Sequence, residues 1–239
     1  MQLKSQNKAL QEAEELRRQV DGITRHDMKS PLNGIVGFAD FLLSADDIPP
    51  HHMDAVRIIR QEGMRALHMV NLSLGLLRME QGTFTLVPKE VDLVPILCDL
   101  QCDLSDLIQG KRLTLVILLE GHPIRKGERF ILWGEELLCF SVFANLLKNA
   151  MEASPVGGAV TVSLQQEGAK HTIRIHNHGA VPIQIRERFF DKYTTFGKSA
   201  GTGLGTYSAR LITEAQGGTI HLEAVGQDET AIVVRLPSL

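Results

Sequence analysis

The sequence predicts a multidomain α+β protein in which a helical hairpin is followed by an α/β sandwich. Apolar residues in the N-terminal third recur at steps of three and four, the spacing of helices that pack along a narrow seam. From about Val87 onward, short β-prone runs alternate with amphipathic segments, a pattern typical of helices layered on a sheet. The 239 residues are 44% apolar, enough for ordinary cores in both parts.

A coiled-coil lead-in is predicted for residues 1–22, where charged residues surround regularly spaced apolar ones. The spacing continues into a long helix, which ends where Asp46, Asp47 and Pro49 interrupt the pattern. A second helix follows and ends near Gly82. The seam residues are Met28, Leu32, Ile35, Ala39 and Leu42 in the first helix and Leu67, Val70, Leu74 and Leu77 in the second.

Residues 23–82 therefore form a two-helix hairpin in this prediction. A hairpin of about sixty residues has too little core to be stable alone. We expect it to pair with a second copy, which makes the chain a homodimer held together by a four-helix bundle.

Residues 88–239 are predicted to form the sandwich as one domain, after a boundary segment bracketed by Gly82 and Pro88. The expected helices are Leu93 to Ile108, Glu135 to Ala153 and one that follows Thr206 and runs to Gln216. The expected strands are Leu113 to Leu119, Ala159 to Leu164, Thr172 to Ile175 and Ala231 to Leu236.

Composition argues against several classes of protein. No apolar run approaches the roughly 20 residues that cross a bilayer, and no secretory leader opens the chain, so we expect no membrane span and a cytoplasmic location. A net charge of −3 provides no footprint for nucleic acid. Cys98, Cys102 and Cys139 lack the paired spacing of a zinc site and are expected to be buried free thiols.

His26 is the first candidate for chemistry. On a helical wheel it lies opposite the apolar seam and therefore faces solvent. A lone exposed histidine usually has no function, but Asp27 can accept a proton from the imidazole and leave its other nitrogen free to attack phosphorus. Ser30 lies on the same face, and Pro31 lets the helix bend beside the reacting group.

A polar face is predicted on the helix from Glu135 to Ala153, formed by Asn145, Lys148, Asn149 and Glu152. A solvated surface is one explanation for it. The other is a magnesium site, because amide oxygens can hold Mg²⁺ while the ion bridges nucleotide phosphates. Asn149 is the first choice as the metal ligand.

Two glycine-containing segments complete the candidate site. Asn177 and Gly179 follow a predicted strand and form either an ordinary turn or a contact to adenine, since an amide oxygen accepts hydrogen bonds. Glycines at alternate positions before a helix let backbone N–H groups approach phosphate. This second segment comprises Gly201, Thr202, Gly203, Leu204, Gly205 and Thr206.

These motifs together resemble those of sensor histidine kinases. The residues from His26 to Leu32 resemble the H-box, those from Asn145 to Ala150 the N-box, and Phe190 to Tyr193 the F-box. Asn177 to Gly179 resembles a shortened first glycine box, with asparagine in place of aspartate, and Gly201 to Thr206 the second. The resemblance covers roughly residues 23–239 and implies a Bergerat-type ATP-binding fold.

In such a kinase, ATP and Mg²⁺ serve to phosphorylate His26, with Asp27 as general base, before transfer to an aspartate of a response regulator. The resemblance also implies that Ser30 orients a phosphatase water and that Lys198, in a lid over ATP, reaches the γ-phosphate. Two alternatives stay open. One is a noncatalytic phosphorelay scaffold with a degenerate ATP site, and the other is an ATPase or serine kinase of the same superfamily.

Overall fold

The described part of the hairpin consists of helix α1 (residues 30–43) and helix α2 (Pro50–Glu80). A computed structural model provides this description for residues 30–44, 49–168, 170–195, 203–224, 226 and 228–238. The chain divides into two units, Met1–Arg78 and Met79–Leu239. The predicted α+β class is confirmed, whereas the predicted limits of the domains stay a prediction.

The two helices of the first unit meet closely at a glycine of α2. A Cβ atom on Gly63 would lie 3.0 Å from Cγ2 of Val36, so only glycine allows this approach without a shift. Val36 and Ala39 of α1 are buried. An ion pair between Arg60 and Asp40 also joins the helices, with 2.5 Å between Nε and Oδ1.

The single predicted seam of α1 is divided in the structure. Ala39 is 2% exposed, but Ile35 and Leu42 of the same predicted seam are 45% and 39% exposed. Val36, the next residue after Ile35, is buried in its place, so the side of α1 that packs against α2 is rotated by about one residue from the predicted side. Ile35 and Leu42 instead belong to an exposed apolar face of α1, together with Phe38 and Phe41.

The second unit is built around a mixed six-stranded sheet. Its strands, in the order in which they lie side by side, are β3 (His122–Pro123), β2 (Thr114–Leu119), β5 (Ala159–Glu167), β6 (Lys170–His178), β8 (Glu229–Pro237) and β7 (Thr219–Ala224). Strands β2 and β5 are parallel, and every other neighbouring pair is antiparallel. A separate antiparallel pair consists of β1 (Lys89–Asp92) and β4 (Ile131–Gly134).

Helices pack on one face of the sheet and form the core with it. Helices α5 (Glu136–Ala153) and α7 (Gly205–Ala215) contact the sheet, whereas α3 (Leu93–Asp103) and α4 (Ser105–Lys111) pack against α5. The short helix α6 (Ile183–Arg186) has no buried residue. Alternate residues of the strands are buried, among them Val162, Ile175 and Val234, because side chains on a strand alternate between faces. The helix predicted from Leu93 to Ile108 is interrupted at Leu104, whose φ of −96° and ψ of 9° leave the helical region.

Two of the three cysteines differ from their predicted burial. All three are free thiols, but Cys98 and Cys102 are exposed and only Cys139 is buried. The buried face of α3 is formed by leucine and isoleucine residues at helical spacing, which turns Cys98 and Cys102 toward solvent. Burial raises the pKa of the Cys139 thiol to about 12. None of the helices in the described ranges is both long and apolar enough to span a bilayer.

Candidate functional site

Helix α5 supplies the polar face that the sequence predicts. Its inner residues are at most 4% exposed, which confirms the predicted apolar face of Phe143, Leu146, Leu147, Ala150 and Met151. Asn145 and Asn149 are half-buried on the other side. The Lys148 side chain is 63% exposed, and its Nζ lies 4.0 Å from Oε1 of Glu152. The two asparagines, rather than the lysine, therefore belong to a partly enclosed surface.

The N-terminus of α7 lies directly against these asparagines. A Cβ atom on Gly205 would lie 3.2 Å from Oδ1 of Asn145 and 3.7 Å from Nδ2 of Asn149. Leu204 occupies the N-cap position, and no side chain among the described residues caps the helix. The first N–H groups of a helix carry a partial positive charge and favour anions. The fold thus joins an anion-favouring helix end to two amide side chains.

The segment before α7 is closed at its base. The backbone N–H of Tyr193 donates to the carbonyl of Gly203 at 3.0 Å. Gly203 has a φ of +66°, and a Cβ atom there would lie 2.5 Å from the carbonyl carbon of Tyr193. The Thr206 hydroxyl donates to the carbonyl of Phe189 at 2.9 Å, so it anchors the same segment. Lys198, Gly201 and Thr202 lie outside the described residues.

The turn after β6 packs on the C-terminal end of α5, the helix that carries Asn145 and Asn149. Gly179 has a φ of +131°, and a Cβ atom there would lie 2.5 Å from the carbonyl oxygen of Ala153, the last residue of α5. Ala153 follows Asn149 by one helical turn, about 6 Å along the axis. Asn177 is 4% exposed, and its Nδ2 donates to the carbonyl of His178 at 3.0 Å. That bond orients the amide so that Oδ1 remains as its acceptor.

Thr230 holds this turn and was not among the predicted site residues. Its hydroxyl donates to the carbonyl of Gly179 at 2.8 Å and accepts from the N–H of Val181 at 3.2 Å. The N–H of Gly179 donates to the carbonyl of Asp228 at 2.7 Å. The position of Thr230 after a C-terminal glycine-containing turn is the only signal for it in the sequence.

Charged side chains surround Tyr207 on α7. Its hydroxyl donates to Oε1 of Glu80 at 3.0 Å, and Nζ of Lys192 lies 2.6 Å from the same oxygen. Lys192 and Arg210 lie over the ring, 5.1 and 5.9 Å from its centroid. The hydrogen bond to Glu80 raises the pKa of Lys192. Burial, followed by the bond to Glu80, raises the pKa of Tyr207.

The opposite face of the sheet carries a separate polar cluster. Glu229 lies between two imidazoles, with 3.2 Å to Nε2 of His176 and 3.4 Å to Nδ1 of His178. Among the described residues, no group of three or more His, Cys, Asp or Glu side chains is arranged to hold a metal ion.

The predicted phosphoacceptor region is described only in part. Ser30 is exposed on α1, whereas His26 and Asp27 lie outside the described residues. Of the other predicted site residues, the fold brings together Asn145, Asn149 and Gly205, and it places Asn177 and Gly179 near the end of the same helix.

Two family models match the chain, one on each part. Residues 16–82 match the His Kinase A (phospho-acceptor) domain. Residues 134–239 match the histidine kinase-, DNA gyrase B-, and HSP90-like ATPase family. The chain belongs to the sensor histidine kinases. The resemblance that the motifs indicate is thereby confirmed.

A sensor protein and a sensor histidine kinase are among the proteins similar to most of this chain. Sensor protein DivL of Caulobacter vibrioides is 24% identical, over 98% of this chain and 30% of DivL. Sensor histidine kinase AruS of Pseudomonas aeruginosa is 29% identical, over 86% of this chain and 21% of AruS. The chain thus spans less than half the length of these relatives.

A solved structure shows the same fold. The crystal structure of full-length ShkA in complex with AMPPNP has a TM-score of 0.61 at 19% identity. The match covers 92% of this chain and 45% of ShkA. At this level of identity the likeness concerns the fold.

Proposed function

We propose that this chain is a kinase core that uses ATP and Mg²⁺ to phosphorylate His26 and passes the phosphoryl group to an aspartate of a response regulator. The observation that carries the proposal is the contact of Gly205, at the start of α7, with Asn145 and Asn149 of α5. It places an anion-favouring helix end beside amide ligands in a domain of the ATPase family.

The nucleotide would lie along α5, between the start of α7 and the turn at Gly179. The Oδ1 atom of Asn177 is proposed to accept a hydrogen bond from the adenine amino group, since Nδ2 is bonded to His178. The phosphates would meet the backbone N–H groups of the segment from Gly201 to Thr206. In this arrangement Lys198 approaches the γ-phosphate, and Lys148 contributes positive charge from the exposed side of α5.

Asn149 is proposed to hold Mg²⁺, with Asn145 beside it. Oδ1 of Asn145 and Nδ2 of Asn149 flank the small space that a Cβ atom on Gly205 would fill. A flip of the Asn149 amide would turn its Oδ1 toward the same space, for a ligand set of amide oxygens with phosphate oxygens and water. A bound magnesium ion offsets the negative charge that develops on the phosphates during transfer. Because neither amide is charged, the ion is expected to bind with the nucleotide rather than before it.

His26 is proposed as the acceptor of the γ-phosphoryl group. A ring nitrogen of His26 forms the new bond to phosphorus, the bond between the γ-phosphorus and the bridging oxygen breaks, and ADP leaves with that oxygen. Asp27 accepts the proton of the other ring nitrogen, which keeps the attacking nitrogen unprotonated. The phosphoryl group then passes to the receiver aspartate, and the Ser30 hydroxyl is proposed to orient a water for the reverse, phosphatase reaction.

The exposed apolar face of α1 supports a homodimer. Phe38 and Phe41 are 73% and 70% exposed, and Ile35 and Leu42 continue the face at helical spacing. Pairing two hairpins through this face would bury these side chains in a four-helix bundle. The proposed second partner is the receiver domain of a response regulator, and no role is proposed for nucleic acid. A cytoplasmic location is proposed because the reaction requires ATP.

Labelled ATP tests the proposal with two matched variants. We expect wild type to incorporate label from γ-labelled ATP, and both His26→Gln and Asn149→Ala to lose it. His26→Gln should still bind AMPPNP with Mg²⁺ as wild type does, whereas Asn149→Ala should bind it more weakly. Label on His26→Gln at the wild-type level would refute the assignment of the acceptor.

A noncatalytic phosphorelay scaffold is the second candidate. It is favoured by Asn177, because a neutral amide replaces the carboxylate that the family pattern has at this position. In that case the folded chain would show no measurable affinity for AMPPNP in a titration with Mg²⁺, and yet it would accept a phosphoryl group on His26 from a phosphorylated receiver domain.

A further inference from the structure

Lys111, the last residue of α4, is bonded to the end of the helix that carries the two asparagines. Its Nζ donates to the carbonyl oxygens of Met151 at 3.0 Å, Glu152 at 2.8 Å and Ser154 at 2.5 Å. An ammonium group has three donors and no acceptor, so these three bonds use all of its hydrogens. The carbonyl of Lys111 also accepts from the N–H of Gly157 at 2.8 Å.

These bonds complete the C-terminus of α5, where a helix leaves its last four carbonyl groups without partners in the helix. The carbonyl of Ala150 accepts from the N–H of Ser154 at 3.0 Å and from its hydroxyl at 2.8 Å. Lys111 takes the carbonyls of Met151 and Glu152. The remaining carbonyl, of Ala153, is the group against which Gly179 packs.

The turn that follows β6 therefore rests on a helix end whose geometry Lys111 sets. A Cβ atom on Gly179 would lie 2.5 Å from the carbonyl oxygen of Ala153, so a displacement of the helix end transmits directly to the turn. The same helix carries Asn149 one turn earlier. A change in the end of α5 would thus alter both the turn and the spacing between the turn and the asparagines.

We propose that Lys111 is a positioning residue for the nucleotide site, an inference that rests on the proposed function. It holds the end of α5 in place and so fixes the distance from Asn177 and the turn at Gly179 to the amide groups of Asn145 and Asn149. Lys111 touches no substrate in this scheme. It acts through three backbone carbonyls, and a cation at a helix C-terminus is also favoured by the helix dipole.

Substitutions of Lys111 in the full chain test this role. Lys111→Met keeps the aliphatic part of the side chain and removes the hydrogen-bond donors. We expect the Kd for AMPPNP with Mg²⁺ to rise about tenfold, because losing a residue that supports a ligand typically costs tenfold or more in affinity. Lys111→Arg keeps a cation that can donate to the same carbonyls, so its Kd should be closer to wild type than to Lys111→Met. Should Lys111→Met not fold, Lys111→Gln retains an amide donor for the same comparison.

Two controls separate positioning from general destabilisation. Lys126→Met removes an exposed lysine elsewhere in the domain, and its Kd should equal that of wild type. Gly121→Ala introduces strain at a φ of +85°, with nothing within 4 Å of the new Cβ atom, and it should lower thermal stability without changing the Kd. A Lys111→Met Kd equal to that of Gly121→Ala, measured well below both melting temperatures, would overturn the proposal.

Hydrogen exchange without nucleotide gives an independent result. Lys111→Met should speed exchange of the Gly179 and Val181 amides, which are bonded to Asp228 and Thr230, whereas Lys126→Met should not. If wild type fails to bind AMPPNP, the proposed function is wrong, and the exchange data still decide whether Lys111 holds the turn. Equal exchange in Lys111→Met and wild type would contradict that role.

Discussion

Gly179→Ala adds only one methyl group, but we expect it to lower both the stability of the domain and its affinity for nucleotide at the proposed adenine end of the site. The new Cβ atom would lie 2.5 Å from the carbonyl oxygen of Ala153, and the turn would have to move by roughly 1 Å to restore van der Waals separation. The φ of +131° adds backbone strain, because residues with a side chain rarely adopt it.

The two effects can be added to an order of magnitude. Strain at such a φ costs about 1–3 kcal/mol, and an overpacked contact costs about 1–3 kcal/mol more. Together they predict a loss of about 2–6 kcal/mol, which at about 2–4 °C per kcal/mol for a domain of this size lowers the melting temperature by roughly 4–24 °C. Gly121→Ala, which has only the φ penalty, should lose about 1–2 kcal/mol.

Circular dichroism melts and calorimetric titration with AMPPNP provide the measurements. We expect Gly179→Ala to have a lower melting temperature than Gly121→Ala. At 10 °C, Gly179→Ala should also bind AMPPNP at least tenfold more weakly than Gly121→Ala does, and a factor of ten corresponds to about 1.4 kcal/mol of binding free energy. If the two variants melt together and bind AMPPNP equally, the contact between the turn and the end of α5 does not matter, and the reasoning is refuted.

Three further predictions concern single side chains. Asp92 caps α3 and accepts from the N–H groups of Val94 and Phe130, so Asp92→Ala should lose about 2 kcal/mol at pH 7. Burial acts to raise the pKa of Asp92, but hydrogen bonds from Arg129, Phe130 and Val94 hold it below 3.8. The difference in free energy of unfolding between wild type and Asp92→Ala, measured in urea, should therefore be complete above pH 3.8 and shrink as the pH falls below that value. Burial lowers the pKa of His171 below 6.5, so the neutral ring is favoured in the folded state. Stability should thus fall as the pH drops below 6.5, and less so in His171→Phe. Asn177→Asp should bind AMPPNP about tenfold more tightly, since charged acceptors form stronger hydrogen bonds, and melt at a lower temperature because the 4% exposed side chain becomes a buried carboxylate; unchanged affinity in calorimetry would contradict a contact to adenine.

The parts of the fold that the sequence predicts well are those with long periodic patterns. Helix α5 begins within a residue of its predicted start and buries the predicted face, because eighteen residues provide five helical turns of pattern. Strands β1, β3, β4 and β7 were not predicted. Two to four residues are too short for an alternating pattern to emerge in β1, β3 and β4, whereas the six residues of β7 do alternate and the prediction missed them. The break at Leu104 and the exposure of Cys98 depend on packing against other elements, which no local pattern reports.

The residues of the candidate site likewise fall into those that the sequence predicts and those that it does not. Asparagine and glycine motifs on α5, on α7 and after β6 could be found from the sequence because residue type and spacing carry them. Lys111 and Thr230 could not be identified as members of the site, because each acts through backbone carbonyl groups that are distant in sequence. Any residue type with a suitable donor could fill these positions, so the sequence does not distinguish Lys111 from a surface residue, and only the glycine-containing turn before Thr230 hints at its role.

The chemical stability of the transferred label distinguishes a phosphorylated histidine from a phosphorylated serine or threonine. The full chain would be incubated with γ-labelled ATP and Mg²⁺ and then treated separately with acid and with base. A phosphorus–nitrogen bond on His26 predicts label that acid removes and base leaves, and that His26→Gln lacks. Label that survives acid would place the phosphoryl group on serine or threonine and contradict the account.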